Sequence, residues 1–239
     1  MIAVKTAPCA SLGAALRGLF PPQVAVALTQ PGAPQPPLFA AETAAMARAV
    51  PTRRAEFAAG RAAARAAMAQ LGAPAAALPM GPDRAPVWPA GITGSLSHIP
   101  ALCIAAVAQT RQFRAIGTDL EEAGDLDPDL IPQVCTLAER AWLACQPAAQ
   151  RGQLAKLIFS AKECAYKCQY PLTGTLFDFD TLEITPDPDT GQFEATFTRA
   201  IGCFDAGACL PGRFTIADGI IGCGMALAGR PRWAGGQGC

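Results

Sequence analysis

Apolar and polar residues follow two rhythms along this chain, and each rhythm predicts a kind of element. The first is helical. Residues 40–72, "AAETAAMARAVPTRRAEFAAGRAAARAAMAQLG", are almost all good helix formers. Pro51 lacks a backbone N–H, so it should divide them into two helices. In the second, Phe57, Ala64, Met68 and Leu71 form an apolar face. Arg54, Arg61 and Arg65 form a basic face at spacings of seven and four, which reads as a solvated stripe. A longer helix is predicted from about Gln150 to Tyr170. There Leu157, Ile158, Ala161, Cys164, Ala165 and Cys168 share an apolar stripe, and Lys156, Ser160, Glu163 and Lys167 share a polar one. "DPDLIPQV" and "TLAERAWLAC" read as two shorter helices, the second opened by a capping box of Thr136 and Glu139.

The second rhythm is extended. "QVAVALT" predicts a short strand leading into a Pro-rich loop. Another loop rich in Pro and Gly runs from Gly72 to "GSLSH". "ALCIAAVA" and "FRAIGTDLE" then read as a hairpin around "QTRQ". Towards the end, "FDFDTLEI", the turn "TPDPDTGQ", "FEATFTRA" and "IIGCGMALA" read as strands. Helices thus precede strands twice. The order suggests two similar halves, 1–115 and 116–239, in an α+β fold, although no internal repeat is visible.

Composition narrows the classes. A chain of 239 residues, 51% hydrophobic, can bury a sizeable core. Lys and Arg total 19, Asp and Glu total 19, so no global charge favours nucleic acid. No apolar run approaches the length of a membrane span, and the first 20 residues lack the ordered regions of a signal peptide. Ten cysteines occur without a C-x-x-C pair and with a single histidine, His98. Structural zinc is therefore not expected, and the thiols read as buried and reduced in a cytoplasmic protein.

Strand alternation puts Asp119 and Glu121 of "IGTDLEE" on one face, with Thr118 and Leu120 on the other. Adjacent carboxylates repel unless a cation or a raised pKa relieves them. Oxygen donors without histidine suit Mg²⁺. Taken alone, the pair also reads as a strand end facing water, and the Glu163/Lys167 spacing as an ordinary helical ion pair worth about 0.3–0.5 kcal/mol.

Three motifs in order change the picture. "GSLSH" (94–98), "GTDLE" (117–121) and "FSAKECAYK" (159–167) together resemble the 4′-phosphopantetheinyl transferases, most closely the enterobactin-synthase-associated type. The resemblance extends over roughly residues 40–185. Thr118 stands where that family usually has an aliphatic residue, and Cys164 where it has Ser or Ala. The resemblance implies a pseudo-twofold α+β monomer with coenzyme A bound between its halves. It also implies Mg²⁺-dependent transfer of phosphopantetheine to a serine of an apo carrier protein (peptidyl, aryl or acyl), releasing 3′,5′-ADP. Matched residue by residue, Asp119, Glu121 and Glu163 would be metal ligands, and Glu163 also a base for the serine proton. Lys167 would reach the reacting phosphate, with Lys162 supporting the phosphates. Ser97 and His98 would contact phosphate, and Arg53, Arg54, Arg61 and Arg84 would serve the 3′-phosphate and adenine side. Arg65 and Arg114 would remain surface charges. Two rival readings stay open: an Mg²⁺-dependent hydrolase of coenzyme A or nucleotide pyrophosphates, and a non-catalytic coenzyme A-binding component of a synthase.

Overall fold

The computed structural model of the chain describes residues 12–229; the first half of the amino-terminal apolar stretch, with Cys9, and also Cys239 lie outside the described residues. The element order is α1 (Leu12–Arg17), β1 (Ala25–Thr29), α2 (Ala40–Thr43), α3 (Pro51–Gln70), β2 (Ile92–Ile99), β3 (Leu102–Gln109), β4 (Phe113–Glu122), α4 (Ile131–Val134), α5 (Leu137–Ala144), α6 (Arg151–Thr173), β5 (Leu182–Asp187), β6 (Gln192–Phe197), β7 (Cys209–Ala217) and β8 (Ile220–Ala228). Two antiparallel sheets result, ordered β1-β3-β2 and β4-β8-β7-β6-β5. The fold is α+β.

Each sheet carries one long helix. Ala63, Ala64, Ala67 and Met68 of α3 pack on Ala25, Ala27, Ala105 and Val107 of the smaller sheet. Leu157, Ile158, Ala161, Cys164, Ala165 and Cys168 of α6 pack on Ala115, Ile221, Cys223, Phe193 and Phe197 of the larger one. Between the sheets, Leu16, Leu19 and Phe20 of α1 and the turn after it join Ile104, Ile116 and Leu120 in a shared core. Each large apolar side chain buried in this way contributes roughly 1.5–3 kcal/mol. Pro51 opens α3 at a position where its missing N–H is no loss, and the α5 capping box is present in both directions. α6 continues past Tyr170 through Pro171 to Gly174, which ends it at φ 61°.

Three expectations are corrected. The hairpin is β2–β3, with Ile99 opposite Leu102, and not β3–β4. β3 already has β1 on one edge and β2 on the other, so β4 has no edge to join and pairs with β8 instead. "GSLSH" lies inside a strand that begins at Ile92. β7, "CLPGRFTIA", gave no strand signal because Pro211 and Gly212 interrupt it. Pro211 is tolerated because β8 pairs only with residues 213–217, which leaves β6 as the one neighbour at Pro211. The third correction concerns the basic stripe of α3. Arg61 is buried, with Nε donating to Leu78 O at 2.7 Å. Arg65, expected at the surface, pairs at 2.9 Å with the fully buried Glu42.

Two glycines set the spacing around the cleft. A Cβ on Gly117 would lie 2.2 Å from the backbone oxygen of Cys164, so β4 and α6 touch backbone to backbone there. A Cβ on Gly94 would lie 2.8 Å from both Ala106 O and the Trp88 ring, which rests on β2.

Candidate active site

β2 and β4 meet without a backbone ladder. The hydroxyls of Ser95 and Ser97 take its place, accepting the N–H groups of Thr118 (3.1 Å) and Leu120 (3.2 Å). This joint forms the floor of a cleft of about 850 Å³, walled on one side by α3 and residues 81–88 and on the other by α6.

Alternation along β4 turns Asp119 and Glu121 towards α6 and into the cleft, where Glu163 faces them. Asp119 is almost fully buried and accepts three hydrogen bonds: Lys167 Nζ at 2.6 Å and Ser97 Oγ at 2.9 Å on Oδ1, and Ser160 Oγ at 2.8 Å on Oδ2. Lys167 also reaches Ser97 Oγ at 3.3 Å, and Lys156 reaches Glu121 at 3.5 Å. The polar stripe of α6 therefore meets the carboxylates of β4 position by position. Burial and then the repulsion of Asp119 push the Glu121 carboxyl above its ordinary pKa. Burial also raises Glu163, with Lys167 pulling against it and Asp119 adding to it. Burial disfavours the Lys167 ammonium, but Asp119, its hydrogen bond and Glu163 outweigh that, so its pKa rises.

Three carboxylates with no histidine or thiolate among them form a hard oxygen donor set. Asp119 commits both oxygens within the protein, and among the described residues no three acidic, histidine or cysteine side chains stand close enough to form a ready cage. Such a set fits Mg²⁺, which binds through one or two carboxylates and completes its shell with phosphate and water. Asp119, Glu121 and Glu163 are the residues that would hold it.

The opposite wall is basic. Arg53 NH1 donates to His98 Nε2 at 2.8 Å, with Glu56 at 3.3 Å from the guanidinium and 3.8 Å from the imidazole. Arginine only donates, so Nε2 accepts and the ring proton lies on Nδ1. Burial lowers the His98 pKa, with Glu56 opposing and Arg53 and Lys167 reinforcing, which agrees with a neutral ring. Arg61 stacks its guanidinium 4.1 Å from the Phe57 ring centroid, and burial lowers its pKa to about 10. Arg61 and Arg84 both line the cleft.

Two residues assigned to the ligand from the motifs stand elsewhere. Lys162 is 1% exposed and bonds Glu139 at 2.8 Å, Val134 O at 2.7 Å and Phe179 O at 2.9 Å. All three ammonium protons are taken by the protein, so Lys162 braces α6 against α4, α5 and the approach to β5. One position separates it from Glu163, about 100° around the helix, which turns it off the reaction stripe. Arg54 turns out of the cleft and donates to Ala47 O at 2.8 Å. Glu56, Asp83, Tyr166 and Tyr170 line the cleft but escaped the motif reading. Only Glu56 had a usable signal, its place one turn after Arg53.

Comparison with known proteins accounts for this arrangement. Residues 41–108 match the family model described as "4'-phosphopantetheinyl transferase N-terminal domain", and residues 115–210 match "4'-phosphopantetheinyl transferase superfamily". The chain belongs to the 4′-phosphopantetheinyl transferase superfamily. It is 40% identical over 204 residues to the 4'-phosphopantetheinyl transferase Svp of Streptomyces mobaraensis, an alignment spanning 84% of this chain and 75% of that one. It is 36% identical over 198 residues to the transferase Npt of Nocardia iowensis, spanning 79% and 88%. Enterobactin synthase component D of Salmonella typhi is 36% identical over 137 residues, spanning 56% and 55%. The transferase is thus an enzyme of the enterobactin-associated type, and both matched regions contribute walls of the cleft.

Proposed function

We propose that this transferase moves the 4′-phosphopantetheine arm of coenzyme A onto a serine hydroxyl of an apo carrier protein and releases 3′,5′-ADP. The observation that carries the reading is the two-sided cleft. One wall offers Asp119, Glu121 and Glu163 with Lys167 beside them; the other offers Arg53, Arg61, Arg84 and His98. A substrate that joins a pyrophosphate to a further phosphate and an adenine requires that division. A bound Mg²⁺ would offset the charge that grows on the leaving phosphate. Glu163 takes the serine proton as the serine oxygen bonds to the phosphorus of the pantetheine arm and the bond to 3′,5′-ADP breaks; its place in the cleft beside Lys167 and Asp119 suits that role. Lys167 neutralises phosphate oxygens as a point charge. Arg61 is the best-built anion contact, because its Nε is anchored on Leu78 O while its side chain lines the cleft. Ser97 and Ser160 act mainly by orienting Asp119.

The change of sheet between β3 and β4 supports two halves dividing near residue 115. A cleft completed within one chain supports a monomer, and cysteines without disulfide or zinc spacing support a cytoplasmic setting. The resemblance to enterobactin synthase component D favours peptidyl or aryl carriers of siderophore or other non-ribosomal peptide synthesis. Mass spectrometry of several apo carriers incubated with enzyme, coenzyme A and Mg²⁺ tests the reading. A gain of one phosphopantetheine, lost in Glu163→Gln, is expected. Release of 3′,5′-ADP without any carrier would favour the hydrolase instead.

A further inference from the structure

Residues 79–87 form a small finger beside the cleft. Pro79 O accepts from Val87 N, Gly81 N donates to Ala85 O and Arg84 N donates to Gly81 O, with Met80 bridged to Pro86. The base of the finger is fixed on both sides. Leu78 N donates to the buried Glu42 at 2.9 Å and Leu78 O accepts from the buried Arg61 at 2.7 Å. On the other strand of the finger, Trp88 rests on Gly94 of β2. The tip is held differently. Arg84 sits at φ 69°, which is unfavourable for a residue with a Cβ. Among the described residues, one hydrogen bond ties the tip to the opposite wall: Tyr170 Oη donates to Asp83 Oδ2 at 2.9 Å. That bond is exposed and joins residues 87 positions apart, one on the finger and one near the end of α6. Asp83, Arg84, Tyr166 and Tyr170 all line the cleft, and Tyr166 stacks on Tyr170 at 5.7 Å between centroids.

We propose that Asp83 and Tyr170 form a latch that holds the finger across the mouth of the cleft, so that opening this one bond governs how fast the nucleotide substrate leaves. The base is rigid, because it is bonded to buried charged groups. The tip is poised, because beyond the bonds of its own turn, among the described residues, a single solvent-accessible hydrogen bond holds it to the opposite wall. Such bonds contribute little alone, which is what a contact that must open in each turnover requires. Both partners are positioning residues. They act by keeping Arg84 over the bound ligand.

The inference rests on the cleft being the coenzyme A site, and the test separates the two. The variants are Tyr170→Phe, which removes only the donor, Asp83→Ala, which removes the acceptor together with its bond from Ala85 N, and their double; none of them touches the buried core. Hydrogen exchange of the ligand-free protein comes first. The amides of Gly81, Arg84 and Val87 should exchange faster in each variant, while that of Leu78 should not. Stopped-flow release of fluorescently tagged coenzyme A comes second. Each single variant should release it roughly 2- to 10-fold faster. The double variant should match Asp83→Ala, because one bond can be lost only once. Unchanged exchange at the finger overturns the latch whether or not coenzyme A binds. Release that is unchanged, or additive in the double variant, also overturns it and makes Asp83 and Tyr170 separate contacts. Failure of the parent to bind coenzyme A, with faster finger exchange in the variants, would retain the latch and overturn the coenzyme A reading alone.

Discussion

Replacing Lys162 by Met tests whether this lysine of the "FSAKE" motif serves the ligand or the fold. The structure puts three acceptors around its ammonium group: Glu139 at 2.8 Å, Val134 O at 2.7 Å and Phe179 O at 2.9 Å. Methionine fills a similar volume, so little packing is lost. What it leaves behind is two carbonyls and a carboxylate without their donor, in a place where Lys162 and Glu139 are each about 1% exposed. An orphaned buried acceptor costs about 1–3 kcal/mol, and breaking one side of a buried ion pair about 3–5 kcal/mol. Glu139 keeps the N–H groups of Thr136 and Ile184, both at 2.6 Å, so its charge is not wholly abandoned. The expected loss is therefore about 3–4 kcal/mol, at the lower end of the ion-pair range. Urea denaturation should show a lower midpoint at an unchanged slope. Below the transition, the KM for coenzyme A should stay within about twofold of the parent, a change of under 0.5 kcal/mol. Normal stability with a KM raised tenfold or more would refute the argument and return Lys162 to the phosphates.

Three further outcomes follow from the same geometry. Gly117→Ala places a methyl 2.2 Å from Cys164 O and must push α6 away from β4; thermal melting should fall and transfer should drop at least tenfold, because Glu163 and Lys167 move with the helix. Arg54→Ala should leave coenzyme A affinity within twofold by calorimetry, whereas Arg61→Ala should weaken it tenfold or more, since only Arg61 faces the cleft. The folded-state pKa of His98 lies below the ordinary 6.5, chiefly through burial. The unfolded chain therefore binds this proton first as pH falls. Its contribution to stability is present above pH 6.5 and lost as pH drops below it; comparing urea midpoints of the parent and His98→Gln across that range should show a shallower acid loss in the variant.

Asp119 does not stand at a strand end facing water, the reading that alternation alone allowed. A strand-end carboxylate facing open space could be removed with little cost. Asp119 instead receives Ser97, Ser160 and Lys167, so alanine would strand three donors, and Asp119→Asn is the cleaner probe.

The sequence by itself determined whatever depends on local periodicity. Helical spacing on 156–167 separated the apolar from the polar stripe, and every apolar member of it is buried. Period-two alternation aimed Asp119 and Glu121 in one direction. Pro51 and the Thr136/Glu139 capping box marked helix starts. Three short motifs in order named the family before any contact was known. What remained undecided were the choices that depend on partners distant in the chain. No local pattern tells β4 that β3 has both edges filled, or Ser97 that its hydroxyl replaces a ladder bond. An arginine stripe reads the same whether water or Glu42 and Leu78 receive it. Lys162 and Lys167 differ by five positions and carry the same charge, and only packing decides between them. Rotation about α6 sends Lys162 into the carbonyls of 134 and 179, where burial without those acceptors would be prohibitive, and sends Lys167 to Asp119 in the cleft.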